Sequence, residues 1–156
     1  MHFNLALAQY KLGKLTDAQA SLNEARRLRP GLDGTDALVV ERISAARAVP
    51  VVSGVGGRLP LHASAAGQVL LAHAGEELFG EVVRGGLAGF TPRTITDPAA
   101  LRLTLAECRR TGVAVVREEM SPDAYSVAAP VTDAKGHVVA ALSVVGADAQ
   151  THLLTP

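Results

Sequence analysis

Tyr125-Ser126-Val127-Ala128-Ala129-Pro130-Val131 and His137-Val138-Val139-Ala140-Ala141-Leu142-Ser143-Val144-Val145 are Val-rich runs joined across Asp133-Ala134-Lys135-Gly136. Turn-forming residues between two such runs predict an antiparallel hairpin. Val113 to Arg117 supplies a further strand upstream. Before it, Asp97-Pro98 offers a cap and a first-turn proline, Leu101, Leu105 and Cys108 form an i, i+4, i+7 stripe, and Gly112 follows Arg109 and Arg110 as a C-terminal stop. Glu76 to Val83, ending at Gly85-Gly86, reads as a short helix. Ala66, Val69 and Leu70 read as another, with Ser64 as N-cap. Earlier still, the β-branched runs Ala37 to Ile43 and Ala48 to Val52 predict a hairpin across Ser44-Ala45-Ala46. Strands, then helices, then strands give an α+β class, with helices packed on a mostly antiparallel sheet.

The first thirty residues follow a different period. Leu5, Ala8 and Leu12, then Leu15, Ala18, Leu22, Ala25 and Leu28 repeat at helical spacing on either side of Gly13 and Lys14, predicting an N-terminal α-helical hairpin over 1–32. Leu5, Ala6, Gly13, Ala18, Leu22, Ala25 and Pro30 resemble a single tetratricopeptide repeat, and any amphipathic hairpin with Ala at close contacts fits the same positions. One such repeat cannot bury its own apolar face, so it must pack on the rest of the chain or on a partner.

Composition narrows the function. The 156 residues carry 15 Lys+Arg against 15 Asp+Glu, and a net charge of zero argues against direct nucleic-acid binding. The lone Cys108 cannot form an internal disulfide, which fits a reducing, cytoplasmic setting. His2, His62, His73, His137 and His152 are scattered without metal-ligand spacing, so no metal and no cofactor is expected. No apolar run is long enough to span a membrane, and the start lacks the basic region of a signal peptide.

Three ordered blocks then resemble one family. Gly56-Gly57-Arg58-Leu59-Pro60-Leu61-His62-Ala63-Ser64-Ala65-Ala66-Gly67 with Leu70-Leu71-Ala72, Phe90-Thr91 with Thr94-Ile95 and Leu101, and Gly112, Glu119, Ser126 to Val131, Asp133, Gly136 with Ala141 to Val144 resemble the C-terminal effector-binding domain of IclR-type bacterial transcriptional regulators. The resemblance runs from about residue 33 to residue 146. It implies a GAF-like antiparallel sheet with a small-molecule cavity, and an effector-binding domain over 33–150. Carried over position by position, it implies ligand-binding roles for Ala65, Ala66, Gly67, Ser126 and Ser143. Val116 and Val145 stand where the family often has polar groups, so an aromatic or hydrophobic carboxylic acid is expected rather than a small keto acid. Small residues at a helix N-terminus suit a carboxylate, since its free N–H groups lie open. The same residues would equally serve as a cap, a close-packing glycine and solvated strand positions.

The resemblance further implies a non-enzymatic sensor of a small organic acid, acting as a homo-oligomer or as a dimer with a full-length regulator. The family's winged helix-turn-helix is missing from the pattern and both ends look cut against it, so a fused gene product or a truncated fragment is expected. A protein-interaction module using the hairpin, with a vestigial pocket, is the alternative. Other chemistry finds little support. Glu118 and Glu119, adjacent on a strand, should point to opposite faces and share no substrate. His62 and Ser64 lack an orienting acid. Arg58-Leu59-Pro60 after the Gly54 to Gly57 segment rules out a dinucleotide loop. Arg26, Arg27 and Arg29 suit a helix C-terminus.

Overall fold

The computed structural model describes residues 4–5, 35–42 and 54–147. Two three-stranded sheets enclose a central helix. Strands β1 (Asn4–Leu5), β2 (Asp36–Val39) and β3 (Arg58–Pro60) form one sheet, with β1 parallel to β2 and β3 antiparallel to it. Helices α1 (Ala65–His73), α2 (Glu76–Gly85) and α3 (Pro98–Thr111) follow. Strands β4 (Ala114–Arg117), β5 (Ala124–Thr132) and β6 (Val138–Ala147) form the second sheet, antiparallel throughout, and β1 lies against β6.

The α+β expectation holds, and the helix ends fall where the capping chemistry put them. Ser64 Oγ accepts from Gly67 N at 3.1 Å, and Asp97 Oδ2 accepts from Ala100 N at 2.7 Å. Gly112 ends α3 at φ 77°, a left-handed conformation that costs glycine nothing. Leu101, Leu105 and Cys108 face the core as their spacing predicted, and burial raises the Cys108 thiol pKa. The Asp133 turn closes with Gly136 N donating to Asp133 O.

One expectation changes, one pairing is added, and two expectations fall outside the described residues. Asn4–Leu5 forms a strand beside Leu38 and Val39 rather than a helical turn. The rest of the N-terminal hairpin, including Arg26, Arg27 and Arg29, lies outside the described residues. The strand pairing with β2 is Arg58–Pro60, in the register Ala37↔Leu59. The run Ala48 to Val52 lies outside the described residues.

Helix α1 is buried on every side. Its residues 65–72 are all inaccessible, because it packs on α3, on β2 and on all three strands of the second sheet. A helix so enclosed must be apolar or small around its circumference, and AAGQVLLA is both apart from Gln68. Its first turn sits directly on the preceding chain. A Cβ at Gly67 would lie 2.6 Å from Leu61 Cα and 2.7 Å from Pro60 O.

Those contacts are backbone and cannot swing away. Gly67→Ala should therefore destabilise by about 3 kcal/mol or more. Gly80→Ala is the opposite case, in mid-helix with only the flexible tip of Arg84 nearby at 3.4 Å. That change should stabilise by roughly 0.5–1 kcal/mol, and urea unfolding of both variants checks the contrast.

Candidate functional site

Strand alternation decides what faces α1. Register places Val116, Ser126 and Val145 in one cross-strand row, and Ala114, Ala128 and Ser143 in another, two residues along. Side chains two apart share a face, so both rows lie on the side toward the helix. The row Val115, Val127 and Val144 faces the other way, where Val115 and Val144 are exposed.

Between the helix N-terminus and this face lies a cavity of about 80 Å³. Ala63, Ser64, Ala65 and Ala66 form its helix side, Val116, Ser126, Ser143 and Val145 its sheet side, and Glu119, Met120, Ser121 and Ala124 its loop side, with Leu59 closing one edge. Four of the five residues singled out in the sequence therefore line one space. Gly67 does not, because its N–H is taken by Ser64 Oγ and its α-carbon is pressed against Leu61 and Pro60. Close packing, not ligand contact, explains that glycine. Ala65 and Ala66, in the first turn, have no intrahelical acceptor for their N–H groups.

Glu119 was not anticipated here. Glu118 adopts φ 56° and Asp123 φ 60°, left-handed values that cost an ordinary residue free energy. The turn at Glu118 separates the two carboxylates. Glu118 Oε2 pairs with Arg93 Nε at 2.7 Å and its Oε1 accepts from Asp123 N, while Glu119 turns inward and is buried. Glu119 Oε2 accepts from Gln68 Nε2 at 3.0 Å, and the same amide nitrogen donates to His62 O at 2.9 Å. Burial drives the Glu119 carboxyl up to about 7, and the Gln68 hydrogen bond only partly opposes this.

The Phe90-Thr91 and Thr94-Ile95 block explains how the loop is held. Thr94 Oγ1 donates to Glu119 O at 2.6 Å and accepts from the N–H groups of Phe90 and Thr91, and Thr91 Oγ1 donates to Glu118 O. His62 stacks on Phe90, and its Nε2 bonds Ala88 O at 2.9 Å. It anchors the turn after Pro60. Ser64 Oγ is occupied by Pro60 O and Gly67 N, so the His62–Ser64 pair has no nucleophile geometry.

A larger hollow, about 380 Å³, lies at the other end of α1 between α2 and α3. Its polar groups are already engaged. Arg102 stacks over Phe79 and pairs with Glu76 at 2.6 Å, and Arg109 Nη1 donates to Ala72 O. Among the described residues there is no cluster of metal-ligating side chains and no helix long and apolar enough to cross a membrane.

Comparison with known proteins agrees with this geometry. The family described as Bacterial transcriptional regulator IclR C-terminal matches residues 5–152, a span that begins inside the segment expected to be a separate hairpin. The HTH-type transcriptional regulator XynR of Escherichia coli is 38% identical over 113 residues, 72% of this chain and 45% of that protein. The chain thus spans about half the length of the curated relatives it matches. The crystal structure of an IclR homologue from Microbacterium hydrocarbonoxydans complexed with 4-hydroxybenzoate is 37% identical, with a TM-score of 0.71 over 83% of this chain and 56% of that one. The inducer-binding domain of a double mutant of PobR from Acinetobacter, complexed with 3-hydroxybenzoic acid, is 28% identical, with a TM-score of 0.65 over 90% and 85%.

The raised Glu119 carboxyl sets a pH dependence of stability. Its proton is held more tightly folded than unfolded, so its contribution is complete below pH 4.5 and is lost as pH rises to about 7. Wild type should lose on the order of 2–3 kcal/mol across that window relative to Glu119→Gln, whose neutral amide keeps an acceptor for Gln68. Paired denaturant titrations at each end of the window measure it.

Proposed function

We propose a function from one premise: the chain belongs to the bacterial transcriptional regulator IclR C-terminal family. As that family's effector-binding domain it senses a small carboxylic acid, held in the cavity between α1 and the second sheet. The carrying observation is that Ala65, Ala66, Ser126 and Ser143, from three elements distant in sequence, line one cavity. The N–H groups of Ala65 and Ala66 receive the carboxylate, where the helix dipole favours negative charge. The Ser126 and Ser143 hydroxyls take further polar groups, while Val116 and Val145 meet an apolar body. Relatives solved with 4-hydroxybenzoate and 3-hydroxybenzoic acid support an aromatic acid.

The chain is a sensor and not an enzyme, because the hydroxyl best placed to be a nucleophile is spent capping a helix. Any effect on transcription passes through the regulator assembly to which this domain belongs, since a net charge of zero argues against direct nucleic-acid binding by these residues. Binding acts by shifting populations between two arrangements of such an assembly. Residues 33–150 form the sensor core. The pairing of Asn4–Leu5 with β2, and a family match beginning at residue 5, support residues 1–32 completing that core rather than serving as a free interaction module. Deleting residues 1–30 should then abolish cooperative unfolding, which calorimetry would reveal.

At about a hundredfold excess over Kd, a bound acid adds about 2.7 kcal/mol and raises Tm by several degrees. Thermal shift against benzoate and hydroxybenzoates should show that rise, and Ser126→Ala or Ser143→Ala should weaken binding by about five- to tenfold through a lost hydrogen bond. A flat response to every carboxylic acid would contradict the sensor reading.

A further inference from the structure

Glu119 is the only ionisable side chain on the cavity wall among the described residues. The remaining lining is apolar, small or hydroxylic and holds no Arg, Lys or His. Its Oε2 accepts from Gln68, and no described group bonds its Oε1. Gln68 has no donor to spare, since both bonds of its amide nitrogen go to His62 O and Glu119. The charged and titratable groups of the surrounding elements are turned elsewhere. Arg93 pairs with Glu118 on the outside of the loop, Asp123 is exposed at its far end, the His62 ring is bonded to Ala88 O, and His73, at the opposite end of α1, is bonded to Val69 O.

An effector anion entering this space therefore meets a carboxyl group with no cation to separate them. Two ionised carboxylates sharing one small apolar cavity repel strongly, and such pairs keep one proton between them. We infer that Glu119 is the effector-recognising acid of the cavity: as a neutral carboxyl it donates from Oε1 to one oxygen of the effector's carboxylate, while the other oxygen faces the first-turn amides of Ala65 and Ala66. One proton from solvent is then held on Glu119 for each effector anion bound. The inference rests on the sensor reading above and adds the group that recognises the acid and its protonation state. The free carboxyl is already poised for this, because burial brings it to about 7. A further consequence is selectivity, since an ionised Glu119 would reject the carboxylates that its neutral form accepts.

The test is calorimetric titration of the full chain with 4-hydroxybenzoate, and with methyl benzoate, an ester that has no ionisable group, from about pH 5.5 to about pH 8.5 in buffers of differing ionisation enthalpy. Affinity for the acid should fall by about tenfold per pH unit above about 7, with close to one proton taken up per molecule bound at the alkaline end. Binding of the ester should not vary with pH, and Glu119→Gln, which offers an N–H in every state, should bind the acid equally at all pH values. The proton count needs no variant, so it stands even if Glu119→Gln fails to fold. Acid binding that is flat with pH and takes up no proton overturns this inference alone. Affinity that rises with pH also overturns it, by making Glu119 an ionised acceptor for the ring hydroxyl. No binding at any pH overturns it together with the sensor reading.

Discussion

The hydrogen bond between the Gln68 amide and the Glu119 carboxyl, 3.0 Å long and buried, is the constraint on which the cavity depends. Helix α1 is enclosed on all sides, and Gln68 is the one polar side chain within its buried run. A buried amide without partners costs about 1–3 kcal/mol, so the fold must bring it an acceptor. It brings two, His62 O from the turn before the helix and Glu119 from the loop between β4 and β5. Gln68 Oε1 remains the one buried side-chain polar atom without a partner among the described residues. The same bond ties α1 to the loop that lines one side of the cavity.

Other features serve that placement. Gly67 lets the first turn of α1 rest on Pro60 and Leu61, which brings Ala65 and Ala66 to the cavity wall. Thr91 and Thr94 grip the backbone carbonyls of Glu118 and Glu119, and so hold a loop whose left-handed residues would otherwise relax. Strand register then decides polarity, because the face bearing Val116 and Val145 also bears Ser126 and Ser143. The result is an apolar space with two hydroxyls, a helix N-terminus and one carboxyl, suited to a small acid with an apolar body.

Much of this was legible in the residues. Capping is local chemistry, so Ser64, Asp97 and Gly112 marked helix ends that the structure keeps, and the Val-rich runs with the Asp133 to Gly136 turn placed the last three strands. Ala65, Ala66, Ser126 and Ser143 came from family resemblance and meet at one cavity. What was hidden was long-range or conformational. Nothing local says that Arg58–Pro60 pairs with β2, or that Asn4–Leu5 becomes a strand, since both depend on partners more than fifteen residues away. Glu118 and Glu119 do point apart, but not by strand alternation: both lie beyond the end of β4, and the left-handed turn at Glu118, rare outside glycine, is what sends Glu119 into the cavity. The available signal was Gln68 itself, a polar side chain in an otherwise apolar and small helical run, which needs a buried partner.

Among the described residues two hollows lie at opposite ends of α1, and the place of binding is decided between them. Intermolecular nuclear Overhauser effects from the ring protons of 4-hydroxybenzoate to methyl-labelled protein distinguish them directly. Binding at the N-terminal end of α1 gives cross-peaks to Ala65, Ala66, Val116 and Val145. Cross-peaks confined to Leu71, Ala72 and Leu105, the methyls of the larger hollow, would contradict it.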